Sequence, residues 1–583
     1  MKVPMSDFLK KEKKKLKSLV EILSTEYDYV SLLGTDVSGT RYEVHYTGTS
    51  IKDSRWSERG FVIRIYEDES YYEYSFNSHD LSNMRLLAEK IKSLHKKSSA
   101  VLHDSGIDAL KYKLIEEDKI EKSWCGDVKI LPESMSAGDK DNYSYEAFSG
   151  LKGPELIDEI EGEVSSIVKE AEMLLDSARV KPGEYDVICS PGVSGGIAHE
   201  SFGHGVEMDM FVKNRAKAVQ YLNKPVGSPL LSMHDGARAA NNISSYLFDD
   251  EGTIGTDTVV IENGIFKRGI SDLLSALNLV TIPTGNGKRE SFERKAYSRM
   301  TNTFFSPGKE RLEDMISSIS HGYLLEKMSS GMEDPKNWGI QCSILFGREI
   351  KDGKLSGKIV APVILTGYVP TVLKSITMIS DDFDLKGSGH CGKGCKEYVK
   401  VSSGGPYIKT SVYNNISSAK TGDNLQGINV KGDTVSISLE PYLPNSVYSV
   451  PYDSDGFPLK PASIIEGNVL KNYWGSLRYC HYLNEDTTGM IKNFKVKPGN
   501  ISVNDYKKEP YLEIVYFSAF LVEPLTGDFG GEIRLGYYFD GKEKIPVTGG
   551  SIGGNINKLH QEIENFIGPE TVKLLNVGVS GAG

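Results

Sequence analysis

The sequence predicts an α+β protein, with an N-terminal α/β part followed by β-rich, mostly antiparallel structure. Helical periodicity is concentrated in roughly the first 180 residues. Beyond that, the 59 glycines and 23 prolines of the 583-residue chain help divide it into short runs that read as strands. Leu16, Leu19, Val20 and Leu23 recur at helical spacing and predict an amphipathic helix. Strands follow at Tyr29–Leu33, Thr40–Tyr46 and Phe61–Tyr66, two of them alternating apolar and polar residues. Leu81–Leu94 reads as a helix and residues 101–153 as irregular, with a loop over Ser134–Asn142. Pro154–Arg179 reads as a long acidic helix, with proline in its first turn. Lys181-Pro182-Gly183 marks a boundary, and Thr258–Ile261, Gly357–Leu365, Val435–Leu439 and Tyr511–Leu521 read as strands beyond it.

This second part repeats itself. Phe248–Gly252 followed by Val259–Lys267 reads against Tyr452–Gly456 followed by Ser463–Lys471. The first copy continues to Pro283-Thr284-Gly285 and the second to Thr487-Thr488-Gly489. Further on, Leu345–Lys354 matches Leu535–Lys542. Asp-Gly hairpins resemble one another, but three matches in the same order point to two related units.

Composition narrows the function classes. With 68 basic and 79 acidic residues the net charge is −11, so the positive field needed by a general nucleic-acid or anionic-membrane binder is missing. No window of about 18 apolar residues exists, so no membrane span is expected. Met1–Leu23 lacks an apolar core of about 7–15 residues and does not read as a secretory signal. Six cysteines (Cys125, Cys189, Cys342, Cys391, Cys395 and Cys480) are too few for a disulfide scaffold, and a cytoplasmic location fits.

The sharpest chemical feature is Gly195–Glu207, which contains His199-Glu200-Ser201-Phe202-Gly203-His204. Neutral imidazole is a good zinc ligand, and a catalytic zinc takes three protein ligands and a water. The familiar His-Glu-x-x-His run puts its histidines at i and i+4, on one helical face. Here they stand at i and i+5, about 140° apart on an ideal helix, so their rings would diverge. A π-bulge would absorb the extra residue, and Gly203 suits such a distortion. Glu200 sits where a general base would, able to take a proton from a zinc-bound water. A third ligand must come from elsewhere. The glycine-rich run Gly387–Cys395 offers His390, Cys391 and Cys395, and chemistry alone does not choose among them.

The run His199–Asp209 resembles the His-Glu-x-x-x-His-Gly-x-Glu-x-Asp motif of the TldD/PmbA family of zinc metallopeptidases, its TldD side in particular. Phe248–Gly252, Ile261–Gly264, Pro283–Ser291, Arg299–Thr303 and Cys391-Gly392-Lys393 resemble further runs of that family. The resemblance implies an N-terminal α/β domain over residues 1–185 and a zinc-binding, β-rich catalytic domain over 186–412. It implies His199, His204 and Cys391 as ligands of Zn²⁺ and Glu200 as the catalytic base. Arg289, Thr301 and Asn302 become candidate substrate contacts because they lie in polar family runs. A TldD-like chain should end soon after Cys-Gly-Lys. Residues 413–583 instead resemble the later part of the PmbA (TldE) sister, without its own His-Glu-x-x-x-His.

The implied activity is zinc-dependent hydrolysis of small or unfolded peptides. The implied partners are a peptide substrate and a homodimer, or a heterodimer with a TldE/PmbA-like subunit, with neither nucleic acid nor membrane. Two other readings stand beside it: an inactive peptide-binding or scaffold partner of a TldD/TldE-type complex, and a zinc amidohydrolase acting on a non-peptide substrate.

Overall fold

The computed structural model describes residues 6–45, 48–54, 57–67, 70–95, 124–130, 143–151, 157–180, 183–333, 335, 338–387, 390–393, 397–414, 421–425, 434–444, 446–454, 456–477, 480–481, 486–498, 510–522, 528–547, 551–555 and 573–575. The expected loop Ser134–Asn142, Pro154, Lys181-Pro182 and Cys395 lie outside these residues. Two compact units form, 1–415 and 416–583. Both are strand-rich and mostly antiparallel, with helices concentrated in the first. No helix among the described residues is long and apolar enough to cross a membrane.

The first unit begins with the expected amphipathic helix, Asp7–Leu23, whose N-cap Ser6 accepts from the Leu9 N–H at 3.2 Å. Its buried Leu16, Leu19 and Leu23 pack with Leu87 and Ile91 of the helix Met84–His95. Both helices bury their apolar residues with Phe61, Ile63 and Ile65 of a three-stranded antiparallel sheet, ordered Tyr29–Val37, Glu58–Glu67, Ser70–Phe76. Residues 101–153, expected to be irregular, contain an antiparallel pair, Trp124–Ile130 with Ser144–Gly150. Their pairing crosses a long connection, which local periodicity does not report. The acidic helix runs Ile157–Met173 and ends in a short 3₁₀ turn.

The larger sheet of this unit has eleven strands among the described residues. Five of them close into a ring. Gly183–Cys189 pairs in parallel with His321–Glu333, which pairs antiparallel with Gly339–Lys351. That strand pairs with Val363–Tyr368, then Ser402–Asn414, which returns to Gly183–Cys189. Closure leaves fewer exposed edges. The run expected as one strand over Gly357–Leu365 is two, Lys354–Val360 and Val363–Tyr368, because Pro362 has no N–H to donate to a ladder.

In the second unit, one described sheet has the order Val469–Leu470, Ala462–Glu466, Ile437–Leu439, Asn493–Val496, Lys573–Leu575. In the other, Asp528–Phe539 pairs antiparallel with Tyr511–Val522, Lys544–Val547 and Ser551–Asn555.

Candidate metal centre

The site is built where the ring passes its chain to a helix. Strand Gly183–Cys189 leads directly into helix Pro191–Ala198, with Pro191 in its first turn. The helix crosses strand Ser402–Asn414 at very close range. Ser194 Oγ donates to the Pro406 carbonyl at 2.6 Å, and a Cβ on Gly195 would stand 2.4 Å from the Gly404 Cα. Only glycine permits that backbone-to-backbone approach.

At His199 the helix widens. His199–Gly203 is one turn of π-helix, closed by the His204 N–H donating to the His199 carbonyl five residues back. The extra residue is absorbed as the i, i+5 spacing requires, and the two imidazoles end 5.2 Å apart between ring centroids. A hairpin from far along the chain, His390–Cys391 against Val399–Lys400, brings in a thiol. Cys391 Sγ lies 3.2 Å from His204 Nε2. One ligand atom each from His199, His204 and Cys391 fall within 4.8 Å of one another. His199 and Cys391 are buried and His204 is half-buried. Of the alternatives for a third ligand, His390 is exposed on the same hairpin.

These atoms fit a zinc ion. Bonds of about 2.0–2.1 Å to nitrogen and about 2.3 Å to sulfur in a tetrahedron separate ligand atoms by roughly 3.5 Å. His199 Nδ1 is buried and has no hydrogen-bond partner among the described residues. Burial works against ionising Cys391, but His204, Arg299 and His199 beside it pull its thiol well below the usual value. That favours thiolate, the ligating form. Glu200, next to His199 in the chain, is half-buried, its Cγ packed against Gly331 of strand His321–Glu333.

Around these three side chains lies a set of buried and half-buried charges that no local sequence pattern assigns. Glu207 Oε2 is 3.5 Å from His204 Nδ1 and 2.9 Å from Lys393 Nζ. Its Oε1 is 3.1 Å from Arg299 Nε. Lys393 reaches Asp209 at 2.6 Å. Arg299, with no solvent exposure, donates to both the carbonyl and the sulfur of Cys391 at 2.9 Å, and also to the Glu397 carbonyl. Burial would push Glu207 up, but Lys393, His204 and Arg299 hold it far below the usual carboxylate range. Nothing local in the sequence pairs Arg299 with Glu207 or Cys391, each 92 residues away.

The three expected substrate contacts are placed differently. Thr301 is fully buried and gives its hydroxyl and N–H to Asp235 at 2.9 and 3.2 Å. Asn302, equally buried, donates to the Gly236 carbonyl at 2.9 Å and to Ser245 Oγ at 3.1 Å. Arg289 pairs with Glu73 of the N-terminal sheet, 3.2 Å from Nη1 to Oε2. All three side chains are thus engaged within the fold, Thr301 by Asp235, Asn302 by Gly236 and Ser245, and Arg289 by Glu73.

A sequence model described as the PmbA/TldA metallopeptidase C-terminal domain matches residues 182–416 and, a second time, 409–574. A metalloprotease TldD homolog of Buchnera aphidicola is 34% identical over 243 residues, 42% of this chain and 50% of that protein. A zinc metalloprotease TldD homolog of Saccharolobus solfataricus is 33% identical over 236 residues, 40% and 52% of the two. The chain thus spans about half the length of the curated relatives it matches. TldE from Thermococcus kodakarensis superposes with a TM-score of 0.52 at 15% identity, covering 69% of this chain and 99% of that one, a likeness of fold.

Proposed function

The chain belongs to the PmbA/TldD family, and from that premise we propose that it is a zinc-dependent metallopeptidase acting on small or unfolded peptides. The observation that carries the proposal is the convergence of His199, His204 and Cys391 beside Glu200. A zinc ion held by those three side chains would polarise a scissile carbonyl and lower the pKa of water towards neutrality. Glu200 takes the proton of the attacking water and returns it to the leaving amine. Glu207 orients the His204 ring through Nδ1, and Arg299 steadies Cys391.

In this reading an extended peptide lies along a partly open strand edge, where Tyr145 Oη already donates to the Met328 carbonyl at 3.1 Å. Strand His321–Glu333 is paired by Gly183–Cys189 only through Gly322–Leu325. From Glu326 onward that edge has no strand partner among the described residues, and Gly331 of this stretch touches Glu200. A substrate added there as a strand is held by backbone hydrogen bonds with little demand on its sequence.

Three parts divide the work in this reading: 1–185 as an α/β domain, 186–412 as the catalytic domain, and 413–583 as a degenerate companion. Residues 413–583 contain one cysteine (Cys480), two histidines (His481 and His560) and no His-Glu-x-x-x-His run. In this reading the companion corresponds to the sister subunit, and a homodimer or a heterodimer with a TldE/PmbA-like subunit stays among the proposed partners beside peptide.

Purified protein should carry about one zinc per chain, measured by elemental analysis. Glu200→Gln should keep the metal and lower cleavage of a fluorogenic peptide by about 10²–10⁴-fold. The proposal fails if His199→Ala changes neither metal content nor cleavage.

A further inference from the structure

Between the candidate metal centre and the N-terminal sheet lies one short segment, Lys288-Arg289-Glu290. It leaves the short strand Gly287–Lys288, which pairs with Tyr297–Ser298. Its backbone is fixed from behind: Asp249 accepts the Gly287 N–H at 2.8 Å and Asp250 the Arg289 N–H at 2.9 Å. Its side chains go to two destinations.

Lys288 and Glu290 go to the hairpin that carries Cys391. Lys288 Nζ donates to the Lys400 carbonyl, and Glu290 Oε2 accepts the Glu397 N–H at 3.1 Å. Glu397 holds a left-handed backbone, φ 55°, uncommon for a residue with a side chain. Arg299 grips the same hairpin at the Cys391 and Glu397 carbonyls. Arg289 goes the other way. It meets Glu73, which pairs with Arg64 at 2.8 Å, which in turn pairs with Glu251 at 2.6 Å. Just beyond, the Phe292 N–H donates to Glu58 at 3.1 Å, and Ser75 Oγ donates to the Phe292 carbonyl at 3.0 Å. Glu58, Arg64, Glu73 and Ser75 all belong to the N-terminal sheet.

We propose that Lys288-Arg289-Glu290 couples the N-terminal sheet to the metal centre, with Lys288 and Glu290 as positioning residues for Cys391 and the Arg289–Glu73 pair as their anchor. The N-terminal domain then does more than flank the catalytic part: its docking sets where the thiolate stands. This rests on the zinc reading above. It assigns a role to residues that touch neither a ligand atom nor substrate.

The test uses the full chain reconstituted with cobalt(II), whose sulfur-to-metal charge-transfer band reports Cys391, alongside zinc affinity from chelator competition. Glu290→Ala should weaken zinc binding about 10–100-fold and diminish the band. Glu290→Gln, which keeps an oxygen for the Glu397 N–H, should restore both. Arg289→Ala and the milder Glu73→Gln, neither of which alters a contact to the hairpin, should shift affinity in the same direction by about two- to thirtyfold. Wild-type affinity and band in Glu290→Ala, Arg289→Ala and Glu73→Gln, including variants with a lowered melting temperature, overturn the coupling alone. A wild-type protein that gives no charge-transfer band overturns the zinc reading and the coupling with it.

Discussion

The turn at Phe248–Gly252 in the first copy and the turn at Tyr452–Gly456 in the second are each built around one aspartate, with the distant N–H partner one place apart in the alignment. Asp249 Oδ1 accepts the Thr253 N–H at 2.9 Å and its Oδ2 the Gly287 N–H at 2.8 Å. Asp453 Oδ1 accepts the Phe457 N–H at 2.9 Å and its Oδ2 the Met490 N–H at 3.1 Å. The next hairpin turn repeats as well: Asn263-Gly264 and Gly467-Asn468 both hold two successive left-handed residues, as a two-residue turn of type I′ demands. The copies part company one segment later. Where the first has Arg289 and Glu290, the aligned second has Asn493 and Phe494, and Phe494 packs into an apolar core with Leu439, Leu459 and Ile491. Turn chemistry therefore belongs to the fold and is kept in both. The charges of Arg289 and Glu290, beside the candidate metal centre, have no counterpart at the aligned positions of the second copy, whereas Lys288 is matched there by Lys492.

The largest effect that could break this comparison lies in the metal itself. His204→Ala should weaken zinc binding by more than about 100-fold, beyond what loss of a supporting partner costs. His481→Ala, in the second copy, should leave zinc content per chain unchanged. Elemental analysis after dialysis against a weak chelator reads both. A fall in zinc content for His481→Ala would mean that the second copy carries metal chemistry of its own.

The same contrast explains what the sequence disclosed. His199 and His204 were legible as a distorted pair because spacing along a helix fixes ring direction: five residues cannot converge without a π-turn, and a π-turn is what forms. The aspartate turns were legible because glycine and asparagine report left-handed backbone directly. Cys391 was reached only by family resemblance, since 187 residues separate it from His204 and no local rule spans that distance. Arg299 and Glu207, 92 residues apart, were invisible for the same reason. Arg289 misled because a charge in a polar run looks available until the strand that neutralises it, Ser70–Phe76, is folded against it. That strand was missed too.

A middle-sized effect tests the shared turn. Asp249 is fully buried and accepts three backbone N–H groups, from Glu251, Thr253 and Gly287. Asp249→Ala leaves these donors unpaired away from water and should cost about 2–4 kcal/mol. Asp453 is half-buried, and water can replace part of what it gives, so Asp453→Ala should cost about 1 kcal/mol. Denaturant unfolding of the two variants compares them. Equal costs would mean that the two turns carry equal burdens and that the charges near Asp249 add nothing to its role.

The smallest effect sharpens the claim that the turns themselves are equivalent. Gly252 and Gly456 sit at φ 84° and 76°, and a Cβ built on either meets nothing within 4 Å. No clash separates the two sites, so alanine carries the same penalty in each, the backbone cost of a left-handed residue with a side chain. That cost is about 1 kcal/mol. Gly252→Ala and Gly456→Ala should therefore destabilise to the same extent within measurement error, and both should bind zinc as the wild type does. If Gly252→Ala also weakened zinc binding, the turn would be part of the path from the N-terminal sheet to Cys391, because it is the Asp249–Asp250 backbone clamp that holds residues 287–289 in line.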